Sequence, residues 1–186
     1  MESLSKKRIA ILATDGFEES EFTSPKEALE NAGAKVDVIS DKSGKIKSWK
    51  DGNWGSEFSV TKTINEANEK DYDGLMLPGG VINPDKLRRN DDAINFVKSF
   101  FKSHKPVGAI CHAPWLLAEA GVLEGREITS FNSIKTDMIN AGAKWRDSEV
   151  VTDHGLVTSR NPDDLPAFNK KLVEEIKEGK HQLQTA

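Results

Sequence analysis

The chain has 186 residues, 37% of them hydrophobic and 30% charged, with a formal net charge of −4. These values suit one domain with a polar surface and lack the basic excess that phosphate neutralisation demands, which argues against nucleic acid or an anionic membrane as main partner. No apolar run approaches the roughly 20 residues of a membrane span, the opening residues carry no export signal, and a single cysteine excludes an internal disulfide or a multi-thiolate metal site. The expected setting is the reducing cytoplasm.

Apolar strands alternate with helical stretches along the chain. Residues 8–13 read as a buried strand, followed by a polar turn over 14–19. Ser24 and Pro25 look like an N-cap and first helical position, opening a helix to Ala32 that Gly33 ends. Residues 36–40 form the second strand. Residues 45–60 carry a hairpin signal, Asp51-Gly52, flanked by Trp49 and Trp54, which read as core, oligomer contact or pocket rim, with core or interface packing favoured. Residues 74–77 form a further strand, stopped by Pro78-Gly79-Gly80. Asn90 or Asp91 can cap a helix with Ile94, Val97, Phe100 and Phe101 on its apolar face. The strand at 107–110 runs straight into Cys111, and Pro114 opens a helix that Gly121 closes. A short helix over 134–141, strands at 150–152 and 156–159, and an amphipathic helix over 162–178 complete the pattern, with a loose polar tail from 179 to 186.

Such alternation predicts one α/β domain over 1–186, with an ordered core at about 7–178 and a mostly parallel sheet covered on both faces. Ligands of such sheets bind beyond the carboxyl ends of the strands. That rule gathers the loops at 14–19, 78–83 and 111–114 on one rim.

Three of these loops carry chemistry. Cys111 sits between a strand and a helix, where helix N-terminal amides favour a thiolate; a lone cysteine without that context is more often a buried structural one. His112 is adjacent, and adjacent side chains usually diverge, so it is either a partner brought round by a sharp turn or a solvent-facing helix start. Glu18 stands on the first loop, where a carboxylate can hydrogen-bond a thiol; with Glu19 and Glu21 it also reads as plain acidic surface. Gly79-Gly80 can bring backbone N–H groups against an oxyanion, although most such pairs are only turns. Asp85, just beyond the glycine pair, reads by itself as a helix N-cap or N-terminal charge. His154 reads as a hairpin residue, and His104 and His181 as exposed. The histidine spacing suggests no metal, and the absence of glycine-rich nucleotide fingerprints suggests no cofactor.

The segment VGAICHAPWLLAEAGVLEGR (residues 107–126) resembles the nucleophile region of the ThiJ/PfpI superfamily, in its PfpI-type intracellular protease and deglycase branch. The same resemblance runs in order through GFEESE (16–21), LPGG (77–80), DMINAG (137–142) and VTSRNPDDL (157–165). It implies a flavodoxin-like three-layer sandwich, Cys111 as nucleophile, Glu18 as the carboxylate at its sulfur, and an oxyanion site made by the backbone N–H groups of Gly80 and His112. It also implies a homo-oligomer, a dimer or larger ring, in which an acid from a neighbouring subunit completes a Cys-His-Glu triad. Asp85 matches that position and is one methylene shorter. Ala113 stands where the family usually has glycine, so a methyl group there is expected to narrow the site or restrict the turn.

The reading this supports best is a stress-related cysteine hydrolase or lyase acting on reactive dicarbonyls or glycated adducts. Alternatives are an intracellular peptidase using Cys111, His112 and Asp85 of the next subunit, and a redox-sensing stress protein or chaperone. A glutamine amidotransferase fits poorly, because neither His154 nor His181 is followed by a glutamate two residues on.

Overall fold

The computed structural model of the protein describes residues 4–186. In chain order its principal elements are β1 (Arg8–Leu12), α1 (Glu19–Asn31), β2 (Lys35–Ser40), the hairpin β3 (Lys45–Lys50) and β4 (Asn53–Ser59), β5 (Lys62–Thr63), β6 (Gly74–Leu77), α2 (Ile82–Leu87) and α3 (Asp91–Lys102). There follow β7 (Val107–Ile110), α4 (Pro114–Glu119), β8 (Glu127–Ile128), α5 (Lys135–Asn140), β9 (Lys144–Trp145), β10 (Val151–Asp153), β11 (Leu156–Ser159) and α6 (Leu165–Glu178). The main sheet has the order β10-β11-β7-β6-β1-β2-β5. Its pairings are parallel except at the β10 edge, where β10 and β11 form an antiparallel hairpin. No helix among the described residues is long and apolar enough to cross a membrane.

The side-chain period of a strand explains the layers. Along β1, Ile9 and Ile11 join one core with Phe22 and Leu29 of α1 and Phe168, Leu172 and Ile176 of α6. Ala10 and Leu12 face the other core, with Val97 and Phe100 of α3 and Leu116 and Leu117 of α4. Both faces are covered, so the central strands are apolar on both sides, as a parallel sheet requires. Asn90 is the cap of α3: its side chain accepts from the backbone of Asp92 at 3.0 Å and Ala93 at 3.2 Å.

Several boundaries differ from the sequence reading, each for a physical reason. Helix α1 begins at Glu19, five residues before Ser24, and Pro25 lies inside it. Proline removes one helical N–H, which leaves the Glu21 carbonyl without its usual partner, but the acidic first turn and the buried Phe22 hold the helix. Helix α2 and the two-residue strands β5, β8 and β9 were not expected; segments this short carry no periodicity and exist through tertiary pairing.

The tail is also docked. Gln184 is wholly buried and its side-chain amide donates to the Lys105 carbonyl, while Arg126 donates to the Thr185 carbonyl at 2.6 Å. His181 donates its backbone N–H to the His104 carbonyl at 2.8 Å, and the His104 ring contacts the Gln184 carbonyl. His104 and His181 are therefore partly buried and tied to the tail, contrary to the expectation that they stand in solvent.

Candidate active site

Cys111 closes β7 in a conformation that side chains rarely adopt, with φ of +65°. The turn is held on both sides: its N–H donates to the Ser159 carbonyl at 3.0 Å, and its carbonyl accepts from Phe131 at 2.8 Å. This bend, imposed where a strand stops and a helix starts, aims the thiol at the sheet rim. It also brings the next side chain round. His112 Nδ1 lies 3.1 Å from the Cys111 sulfur, so these neighbours in sequence do meet. The imidazole is stacked on Phe131, with ring centres 4.8 Å apart, and its Nε2 lies 3.1 Å from Ser133 Oγ. Burial pulls the His112 pKa down, so the ring is neutral at pH 7.

The carboxylate at the sulfur is Glu21, which corrects the expectation for Glu18. Beginning α1 at Glu19 turns Glu21 inward, and its side chain is fully buried against Cys111. Neither oxygen has a partner of ordinary hydrogen-bond geometry; the thiol and the amides of Gly79 and Gly80 are the polar groups that act on it. Burial, reinforced by the charge of Glu18, pushes the Glu21 pKa up to about 8, so it holds its proton at neutral pH. Burial also pushes the Cys111 thiol up, and a charged Glu21 adds to that push. The N–H groups of Gly80 and His112 oppose it by pointing at the sulfur. A protonated Glu21 exerts no charge repulsion and can donate its own O–H, so a thiolate is compatible with a neutral carboxyl beside it.

The three acidic residues that look alike in sequence thus occupy three environments. Glu21 is buried at the thiol. Glu18 is half-buried and lines the cavity in front of it. Glu19 turns away to the β3–β4 hairpin, accepting from Ser48 Oγ at 2.6 Å, the Ser56 N–H at 3.0 Å and Lys50 at 3.1 Å, which hold its pKa down at about 2.

Gly79 and Gly80 are where they are because nothing larger fits. A Cβ on Gly79 would strike the Glu21 carboxyl and lie 2.6 Å from the Cys111 Cβ. Gly80 has φ of +77°, and a Cβ there would lie 2.6 Å from the Gly16 carbonyl. Asn83, missed by the sequence reading, pins this loop: buried in α2, it accepts from the Thr14 N–H at 2.8 Å and donates to the Pro78 carbonyl at 2.9 Å. An asparagine one turn after Gly-Gly was the available signal.

A cavity of about 420 Å³ opens over the thiol, walled by Glu18, Trp49, Val81, Ile82, His112 and Phe131 among others. Trp49 is therefore a cavity wall, the pocket-rim alternative and not the favoured core or interface packing; Trp54 meets it edge-on at 5.5 Å and is exposed. Asp85 is exposed on α2 and does not line the cavity, so within one chain it is not brought to His112. Ala113 has an ordinary helical φ of −57° and is wholly buried in the core behind α4. Its methyl group neither narrows the cavity nor strains the turn.

Away from this site, Glu175, Glu178 and His181 place possible ligand atoms within 4.8 Å of one another. Lys171 Nζ at 3.6 Å and His181 Nε2 at 3.2 Å are the partners of the Glu175 carboxylate at the end of α6.

Residues 7–175 match the model of the DJ-1/PfpI family. Over 171 residues, 92% of this chain and 99% of the relative, the chain is 44% identical to YraA of Bacillus subtilis strain 168, provisionally named a cysteine protease. It is 46% identical over 168 residues, 90% of this chain and 96% of the relative, to protein/nucleic acid deglycase 2 of Escherichia coli K12. Among solved structures, that of Drosophila melanogaster DJ-1beta superposes with a TM-score of 0.82 at 26% identity, covering 92% of this chain and 94% of the other. The strained Cys111 turn, the Gly-Gly loop and the mostly parallel sheet stand where these matches run, and the chain belongs to the DJ-1/PfpI family.

Proposed function

We propose that this protein is a cysteine-dependent hydrolase or lyase that acts on small reactive dicarbonyls or their adducts, with Cys111 as nucleophile. The observation that carries the reading is the 3.1 Å approach of neutral His112 to the Cys111 sulfur at the floor of a small, mostly apolar cavity. With methylglyoxal, the sulfur adds to the aldehyde carbon. The developing oxyanion takes hydrogen bonds from the N–H groups of Gly80 and His112, which already face the sulfur. His112 accepts the thiol proton and passes it to the carbonyl oxygen of the second carbon; neutral again, it moves the proton of the first carbon to the second, which leaves a hydroxyl on the second carbon and a thioester carbonyl on the first. The resulting thioester is hydrolysed by water, which frees Cys111 and leaves lactate, so one water is consumed per turnover. Protonated Glu21, walled off behind the sulfur, keeps a second negative charge away from the thiolate.

A peptidase reading needs an open groove and an acid from another subunit. Cys111 is only 7% exposed, and His112 Nε2 already faces Ser133 within the chain, so the geometry supports a small carbonyl better than an extended peptide. A homo-oligomer with Asp85 of a neighbouring copy at His112 is part of the peptidase alternative. A cytoplasmic setting goes with either activity.

The test is turnover of methylglyoxal by native protein and by Cys111→Ala. Loss of at least a hundredfold in kcat/KM is expected; equal rates in the two proteins would sink the reading.

A further inference from the structure

At neutral pH the wall of the cavity over Cys111 presents one formal charge, and it is negative. Among the described residues no lysine or arginine lines it. His112 is neutral because it is buried, and Glu21 keeps its proton. Glu18 is the remaining titratable group of the wall apart from the thiol. It is half-buried on the cavity side, and its charge is strong enough at this depth to act on Glu21.

The surroundings reinforce that sign. Burial first, and the charges of Asp51 and Glu19 after it, push the Glu18 pKa up while a hydrogen bond with Ser20 holds it down, and the two acids add negative charge beside the cavity. Lys50, next to Trp49 on β3, is paired with Glu19 at 3.1 Å. Trp49 and Phe131 add aromatic surface, which attracts cations and offers nothing to an anion. The amides of Gly80 and His112 act on an oxyanion at short range, whereas Glu18 acts on the whole of whatever enters.

We propose that Glu18 selects the substrate by charge: the site admits uncharged carbonyl compounds and discriminates against aldehydes that carry a carboxylate. The inference rests on the reading of Cys111 as a carbonyl-directed nucleophile, and it names the substrate class of that site. A single charge several ångströms away at an effective dielectric of 20 to 40 is worth roughly a factor of ten in rate or affinity.

Two probes separate this proposal from the activity beneath it. The first is alkylation of Cys111 by neutral iodoacetamide and by anionic iodoacetate, each rate divided by that for free cysteine. Native protein is expected to disfavour iodoacetate by roughly tenfold, Glu18→Gln to lose most of that preference, and Glu18→Asp to keep it. High salt should shrink the preference in native protein, a measurement that needs no variant. The second is protection of Cys111 from iodoacetamide by methylglyoxal against protection by glyoxylate, which should follow the same order. A preference that is absent, or identical in native protein and Glu18→Gln, overturns charge selection even if methylglyoxal is turned over. A preference that follows Glu18 while methylglyoxal is not turned over upholds charge selection and removes the catalytic reading.

Discussion

The carboxyl of Glu21 and the thiol of Cys111 share one buried corner, and Gly79 is the backbone that lets them meet, since a Cβ there would run into the Glu21 carboxyl and the Cys111 Cβ. Placing an acid with no ordinary hydrogen-bond partner in a core costs stability whenever it ionises. That cost makes the corner visible in a pH titration.

Glu21 has a folded pKa of about 8 against 4.5 for an ordinary glutamate, so the folded state binds its proton more tightly than the unfolded state does. Its contribution to stability is complete below the unfolded value and is lost as pH rises through 8, with a ceiling of about 5 kcal/mol. Glu21→Gln is expected to flatten the decline in unfolding free energy between pH 5 and 8, measured by urea denaturation. Glu18→Gln, which removes a charge that pushes Glu21 up, should end the decline at a lower pH. A native profile already flat over this range would contradict a buried, protonated Glu21.

Gly79→Ala tests the corner from the other side. The added methyl has nowhere to go without moving the loop, the carboxyl or the thiol, so a stability loss of about 1–3 kcal/mol and a changed Cys111 alkylation rate are expected. Gly79 is not at positive φ, so its loss is steric; Gly125→Ala, in open space at a φ of +73°, gives the contrasting case of backbone strain without a clash. It should lose stability and leave alkylation unchanged.

Asn83 joins two rim loops through buried hydrogen bonds to Thr14 and Pro78. Asn83→Ala leaves those backbone groups unpaired, and about 1–3 kcal/mol of stability should be lost. Urea midpoints with an unchanged slope would report it. Asn83→Asp should recover the bond from the Thr14 N–H and forfeit the one to Pro78.

Ser133 faces His112 Nε2 and Asp85 does not reach the cavity. If the site works within one chain, Ser133→Ala should lower methylglyoxal kcat severalfold and change its pH profile, while Asp85→Ala should leave both unchanged. The opposite pattern, lost in dilute protein and recovered as concentration rises, would place the partner's acid at His112 instead.

Much of this was legible in residue order. The strands of the central sheet, the turn before α4 and the conjunction of Cys111 with Gly80 on one rim follow from apolar runs that end at glycine, proline or cysteine. The position of the acid was not, because it hinges on where α1 begins. Ser24-Pro25 carries a strong local start signal, and it places Glu18, Glu19 and Glu21 in a solvated loop. The helix starts earlier because Phe22 and Leu29 bury a face against the sheet, which outweighs one lost hydrogen bond at Pro25. Once that turn is helical, Glu21 points to the thiol.

The sequence by itself determined the alternating α/β order, the strand-to-helix turn at Cys111 and the glycine pair opposite it, because these depend on local apolar runs and backbone freedom. Only the tertiary structure decided which of three glutamates touches the sulfur, that Trp49 walls the cavity, and that the tail is docked through Gln184. Those outcomes turn on burial against partners distant in the chain, and the free energy of burying an acid or an indole depends on the neighbours that meet it there.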